Sequence, residues 1–161
     1  MNTSTASSDT KYFEDHVAGS SGEFGPVLVE EEEIIEFARR YDPQVFHVDP
    51  EAARKTSFGG LVASGLYTLA VGTRLIVENE LVRVASMGSP GLDELRWHKP
   101  VRPGDALTVR RTIVETRRSR SKPDRGVVKS LVEVLNQRGE VVTSWKGAIM
   151  VKCKLTARSE Q

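Results

Sequence analysis

Two side chains suited to moving protons lie five positions apart in the stretch YDPQVFHVDP, residues 41–50: Asp42 and His47. A carboxylate and an imidazole that share one water can take a proton and return one from the same face. Pro43 follows the acid, and Asp49-Pro50 follows the histidine, so the stretch reads as two turns. Alone, Asp42 would be a turn residue and His47 a structural histidine whose hydrogen bonds are satisfied; the chemical reading rests on the two together. Downstream, Ser64-Gly65 opens a strongly apolar segment. A helix starting there would offer fixed backbone N–H donors to developing negative charge, and glycine would let another group approach closely.

The elements that must position these groups follow from periodicity. In EEEIIEFARRYD, Ile34, Phe37, Ala38 and Tyr41 fall at i, i+3, i+4 and i+7, one face of a helix. Its glutamates come first and Arg39 and Arg40 last, which suits the helix dipole. Pro43 disfavours a helical Asp42, so the helix stops there and Asp42 is held at its exit. Asp49, Pro50 and Glu51 read as N-cap, N1 and N2 of a short helix ending before Gly59-Gly60. Ser64 can cap the next helix, in which Leu66, Leu69, Ala70, Thr73, Ile76 and Val77 form one stripe. The other face is also apolar until Glu78, which predicts a helix buried all round.

After that the period changes to two. Leu95/Trp97, Leu107/Val109, Val128/Ser130/Val132/Val134 and Val141/Thr143/Trp145/Gly147/Ile149/Val151 each mark one side of a strand. Two further strands are expected near residues 13–17 and 24–29. Turn residues at Pro103-Gly104-Asp105 and Gln137-Arg138-Gly139-Glu140 separate the later strands. The economical packing is an α+β wrap, one antiparallel sheet around one central helix. Its open edges and apolar surface predict self-association.

The totals bound the function. The 161 residues suffice for one domain with a core, over residues 11–155, with a Ser/Thr-rich tail at 1–10 and a short tail at 156–161. Formal net charge is +1, which gives no pull toward nucleic acid or membrane. The one cysteine, Cys153, suits a reducing compartment, and the N-terminus lacks the features of a secretory signal. A cytoplasmic protein is expected, with no metal and no cofactor.

Asp42 and His47, the segment FGGLVASG at residues 58–65, and the stretch GSPGLDELRWHKPVRPGD at 88–105 together resemble the MaoC-like dehydratases and (R)-specific enoyl-CoA hydratases. That family has the hotdog fold and carries an aspartate and a histidine at this spacing, usually as D-x-N-P-x-H. Here Gln44-Val45 replaces Asn-Pro, and Ser64 replaces a histidine common before the helix glycine. The resemblance spans nearly the whole chain. It implies reversible hydration of a trans-2-enoyl thioester, carried on CoA or on a carrier protein. Asp42 and His47 would be catalytic, the Gly65 amide the oxyanion donor, and Gly60, Ser64, Leu66 and Thr73 substrate-binding. It also implies a homodimer or larger homo-oligomer.

Other polar residues read more plainly. Thr73 fits a hydroxyl bonding back to its own helix. His16 and His98 read as surface or strand residues, and Tyr41 and Phe46 as core or pocket wall. The basic stretch TRRSRSKPDRG, residues 116–126, reads as a solvated hairpin tip; phosphate binding there is the minor alternative, and nucleic acid is disfavoured by the lack of interleaved aromatics. Two other functions compete. A hotdog thioesterase would want a carboxylate on the central helix, where only Glu78 stands, at the far end. A catalytically idle acyl-binding protein would bind without turnover.

Overall fold

The computed structural model describes residues 9–154. The tails expected at 1–10 and 156–161 lie outside these residues, except for Asp9 and Thr10. Five strands form one antiparallel sheet: β1 (Ser21–Leu28), β2 (Leu92–Trp97), β3 (Ala106–Arg118), β4 (Arg125–Leu135) and β5 (Val141–Lys152). Their order across the sheet is β1-β3-β4-β5-β2. Between β1 and β2 run the helices α1 (Glu31–Tyr41), α2 (Val45–Val48), α3 (Pro50–Ala53) and the long α4 (Gly65–Asn79). This is the α+β hotdog arrangement anticipated above.

Alternation along the strands supplies the core. Leu107 and Val109 of β3, Val132 and Val134 of β4, and Val142 and Trp145 of β5 meet Tyr67, Val71, Leu75 and Ile76 of α4. Gly72 makes this approach possible. A Cβ there would stand 2.8 Å from Val134 Cγ2 and 3.0 Å from Trp145 Cη2. Burial of Tyr67 is tolerable because its hydroxyl donates to Glu33 Oε2 at 2.8 Å.

The short helix opened by Asp49 is as expected, ending at Ala53, before Gly59-Gly60. Two expectations are corrected. Residues 13–15 form a 3-10 turn, not a strand. The Asp15 carboxylate accepts from the Tyr12 amide at 2.9 Å, a local bond that competes with a sheet ladder. And α4 is not buried all round. Its inward face is Tyr67, Thr68, Val71, Gly72, Leu75 and Ile76, whereas Leu66, Ala70, Thr73 and Val77 face outward. Both faces are apolar, so periodicity alone could not say which one the sheet would take. Among the described residues, no helix is long and apolar enough to cross a membrane.

Candidate active site

The exit of α1 sets the carboxylate. Asp42 is the C-cap residue, its amide still bonded to Ala38 O, with the extended φ of −154° that the following proline favours. The chain then turns at once into α2, a single helical turn not foreseen from sequence, which carries His47 on its inner side. His47 is buried, with side-chain exposure of 8%, and Asp42 sits at 22%. Their reactive atoms, His47 Nε2 and Asp42 Oδ2, are 3.3 Å apart.

Each group is held by further bonds. Gln44 Nε2 donates to Asp42 Oδ1 at 2.8 Å, and Ser64 Oγ donates to Asp42 Oδ2 at 2.7 Å. The Ser64 bond first, and then the Gln44 bond, hold the Asp42 carboxyl below its ordinary value of 3.8, against partial burial. Asp42 is therefore an ionised base. His47 Nδ1 lies 2.6 Å from the carbonyl of Val62. A carbonyl only accepts, so Nδ1 carries a proton. In the neutral ring Nε2 then presents a lone pair toward Asp42. A water lying to one side of the two acceptors, at about 2.8 Å from each, can donate to both. The Val62 carbonyl is itself fixed, because the Val62 amide donates to Phe46 O at 3.0 Å and the Ala63 amide to Val101 O at 2.8 Å.

The same segment leads into α4. Ser64 Oγ accepts from the Leu66 amide at 3.2 Å while giving its proton to Asp42. One hydroxyl thus caps the helix and orients the base. The first-turn amide of Gly65 has no partner within its helix. A cavity of about 640 Å³ joins these groups. Asp42, His47, Ser64 and Gly65 line it beside Trp97 and Thr143, and Phe46 and Phe58 add aromatic wall. The Phe46 ring stands edge-on to His47, centroids 4.6 Å apart.

The residues expected to form the site divide into two groups. Asp42, His47, Ser64, Gly65 and Leu66 come together at the cavity. Gly60 and Thr73 do not. Gly60 lies beside Arg102, and Thr73 is exposed, its hydroxyl donating back to Leu69 O at 2.8 Å. Ser64 sits there as an orienting group of Asp42, which its place in the sequence did not suggest. Gln44, a departure from the family pattern, holds the second carboxylate oxygen. Tyr41 lines the cavity while more than half exposed. His98, expected at the surface, lines it too, with Nε2 2.7 Å from Ser144 Oγ. Thr68 and Trp97 carried no signal that marked them as site residues.

Other candidates lie elsewhere. His16 is buried, Nδ1 bonded to Tyr12 O at 2.8 Å. Burial pushes the Cys153 thiol up, away from reactivity. In the basic hairpin, Arg117, Arg118 and Arg125 pair with Glu115, Glu14 and Asp124. Thr143 of the cavity is level with Val134 and Val109, and Arg118 is nine residues further along β3. At ~3.4 Å per residue that puts the hairpin about 30 Å from the cavity, which removes it from contact with this subunit's site. Glu78, the one carboxylate on α4, is exposed and faces Arg74 at 3.6 Å.

Comparison with known proteins agrees with the fold. Residues 14–135 match the family model described as MaoC like domain. The chain is 32% identical over 125 residues to the uncharacterized protein YdeM of Bacillus subtilis, covering 77% of this chain and 86% of that one. It superposes on the MaoC-like dehydratase of Rhodospirillum rubrum with a TM-score of 0.81 and 38% identity, over 91% of this chain and 99% of the other. A monoamine oxidase regulatory protein of Archaeoglobus fulgidus gives a TM-score of 0.83 at 29% identity, over 91% and 97%.

Proposed function

Because the chain belongs to the MaoC-like dehydratase family, we propose that it is a hydro-lyase that reversibly hydrates a trans-2-enoyl-CoA to the (R)-3-hydroxyacyl-CoA. The observation that carries this reading is the Asp42 Oδ2–His47 Nε2 pair, 3.3 Å apart on a cavity that also takes in the N-terminal amide of α4. A water held by both acceptors attacks C3 of the enoyl group. Its proton passes to the pair as the C3–O bond forms. The C2=C3 π electrons move toward the thioester, whose oxygen gains enolate charge beside the Gly65 amide. The pair then gives one proton to C2, so that the sum is addition of H and OH across the double bond. Asp42, held ionised, is the principal base. The (R) sense follows the resemblance of the motifs to the (R)-specific hydratases. The mostly apolar wall formed by Phe46, Phe58, Val62 and Leu66 suits an acyl chain. The outward apolar residues of α4, among them Leu66 and Val77, are 46% and 39% exposed and favour a homodimer. The lone, unpaired Cys153 favours a cytoplasmic setting.

The test is loss of conjugated-enoyl absorbance with crotonyl-CoA and with longer and branched enoyl-CoAs, followed by chiral analysis of the product. Turnover to the (R)-3-hydroxyacyl thioester is expected. Binding without turnover across the series would replace this reading with that of an acyl-binding protein. Release of free CoA would point to a thioesterase, which the outward, paired Glu78 disfavours.

A further inference from the structure

On the hydratase reading the Gly65 amide gives the thioester oxygen one hydrogen bond, and each further fixed donor adds to the stabilisation of its growing charge. The second is sought among side chains near that amide. Trp97 ends β2 at the edge of the sheet, directly opposite Thr143 of β5, so the two side chains point to the same, helix-facing side. Its indole lies on Gly65. A Cβ at that glycine would stand 2.2 Å from Nε1, 2.3 Å from Cε2 and 2.7 Å from Cδ1 of the ring. This contact by itself requires glycine at position 65, independently of any approach by substrate. The ring is 53% exposed, lines the cavity of Asp42 and His47, and its N–H has no acceptor among the described residues.

Standard backbone geometry places a Cβ about 2.5 Å from its own nitrogen. Nε1 of Trp97 is therefore at most about 4.7 Å from the Gly65 nitrogen. One oxygen can accept bonds of ~2.9 Å from two nitrogens as far apart as about 5.8 Å. An oxygen bonded to the Gly65 amide on the cavity side can therefore lie within hydrogen-bond reach of the indole nitrogen. We infer that the Trp97 indole N–H is the second donor to the thioester carbonyl oxygen, and hence to the enolate that grows on it. The inference rests on the hydratase reading for its catalytic consequence but not for the contact itself.

Trp97→Phe keeps an aromatic ring on Gly65 and removes the N–H. With crotonyl-CoA, kcat is expected to fall about 100-fold or more while KM changes little, as for loss of one oxyanion donor. A variant whose kcat stays within about threefold of the wild type overturns the inference and leaves the hydratase reading intact. A second measurement needs neither turnover nor a variant that folds well. In 15N-labelled wild-type protein the Trp97 indole cross-peak, separate from that of Trp145, is followed as the saturated thioester butyryl-CoA is added. A downfield shift of the N–H proton is expected, and a peak that does not move overturns the contact. If the wild type hydrates nothing, the function proposed above fails, and this shift alone decides the role of Trp97.

Discussion

The two ends of α4 each carry a carboxylate against a polar partner, and they solve the problem differently. At the N-terminal end Asp42 is held by neutral donors, the Ser64 hydroxyl and the Gln44 amide, and its neighbour His47 turns an acceptor toward it. At the C-terminal end Glu80 caps the helix, where the dipole disfavours an acid, and the buried guanidinium of Arg111 neutralises it directly. Arg111 is 5% exposed and Glu80 19%. One carboxylate is oriented but left with bonding capacity to spare; the other is matched by a full opposite charge. On the hydratase reading, reactivity belongs to the first because neutral donors fix its ionisation and aim without covering it with a full opposite charge.

The largest expected effect breaks the reactive end. Asp42→Asn, isosteric and still able to accept from Ser64, should lose ~100–10,000-fold in kcat with crotonyl-CoA while the melting temperature stays near that of the wild type. His47→Ala should fall in the same range. The double variant should be little worse than either alone, since the two hold one water. Activity that survives either change would dissolve the contrast between the two ends.

A smaller effect of the opposite kind is expected at the other end. Arg111→Met leaves the Glu80 carboxylate uncompensated and should cost about 3 kcal/mol of stability, read by chemical denaturation. Activity per folded molecule should hold. If Arg111→Met instead abolishes turnover in folded protein, the C-terminal end is part of the machinery.

Ser64→Ala sharpens the comparison with the smallest change. Loss of the cap should cost about 1 kcal/mol. Loss of the foremost influence holding Asp42 below 3.8 should also raise that carboxyl toward its ordinary value. A depressed carboxylate contributes stability above its unfolded value and loses it as pH falls through the folded one, so in Ser64→Ala that contribution is smaller and its loss is complete at a higher pH. The acid limb of the kcat/KM profile should move upward with it. An acid limb that does not move would mean that Ser64 only caps the helix.

Much of this contrast was legible in the chain, and the rest was not for physical reasons. Leu107 and Val109 of β3 and Val128 to Val134 of β4 alternate because one face meets α4, so their inward residues could be named, whereas a register shift at the start of β5 buries Val142 in place of Val141. The exit of α1 at Asp42 followed from Pro43, and the cap at Ser64 from its place before an apolar run. Which face of α4 turns inward was not readable, since Gly72 rather than hydrophobicity decides where the helix can approach the sheet. The α2 turn escaped notice because four residues show no periodicity. Trp97 and Thr68 looked like ordinary strand and helix residues. They enter the cavity only through pairings across the sheet and against the helix start, contacts separated by tens of residues. Gly65 was expected to be glycine for the sake of a ligand, whereas the structure first requires it for the indole of Trp97.

The carbonyl of Val62 has one more consequence. By holding the proton on Nδ1 of a buried ring, it closes the route by which an imidazole can pass charge from one nitrogen to the other and out to bulk solvent. His47 is a terminus and not a wire. Any proton arriving at Nε2 must leave by the face on which it came, through the cavity or onto Asp42, so hydrogen traffic with the outside runs through a single door.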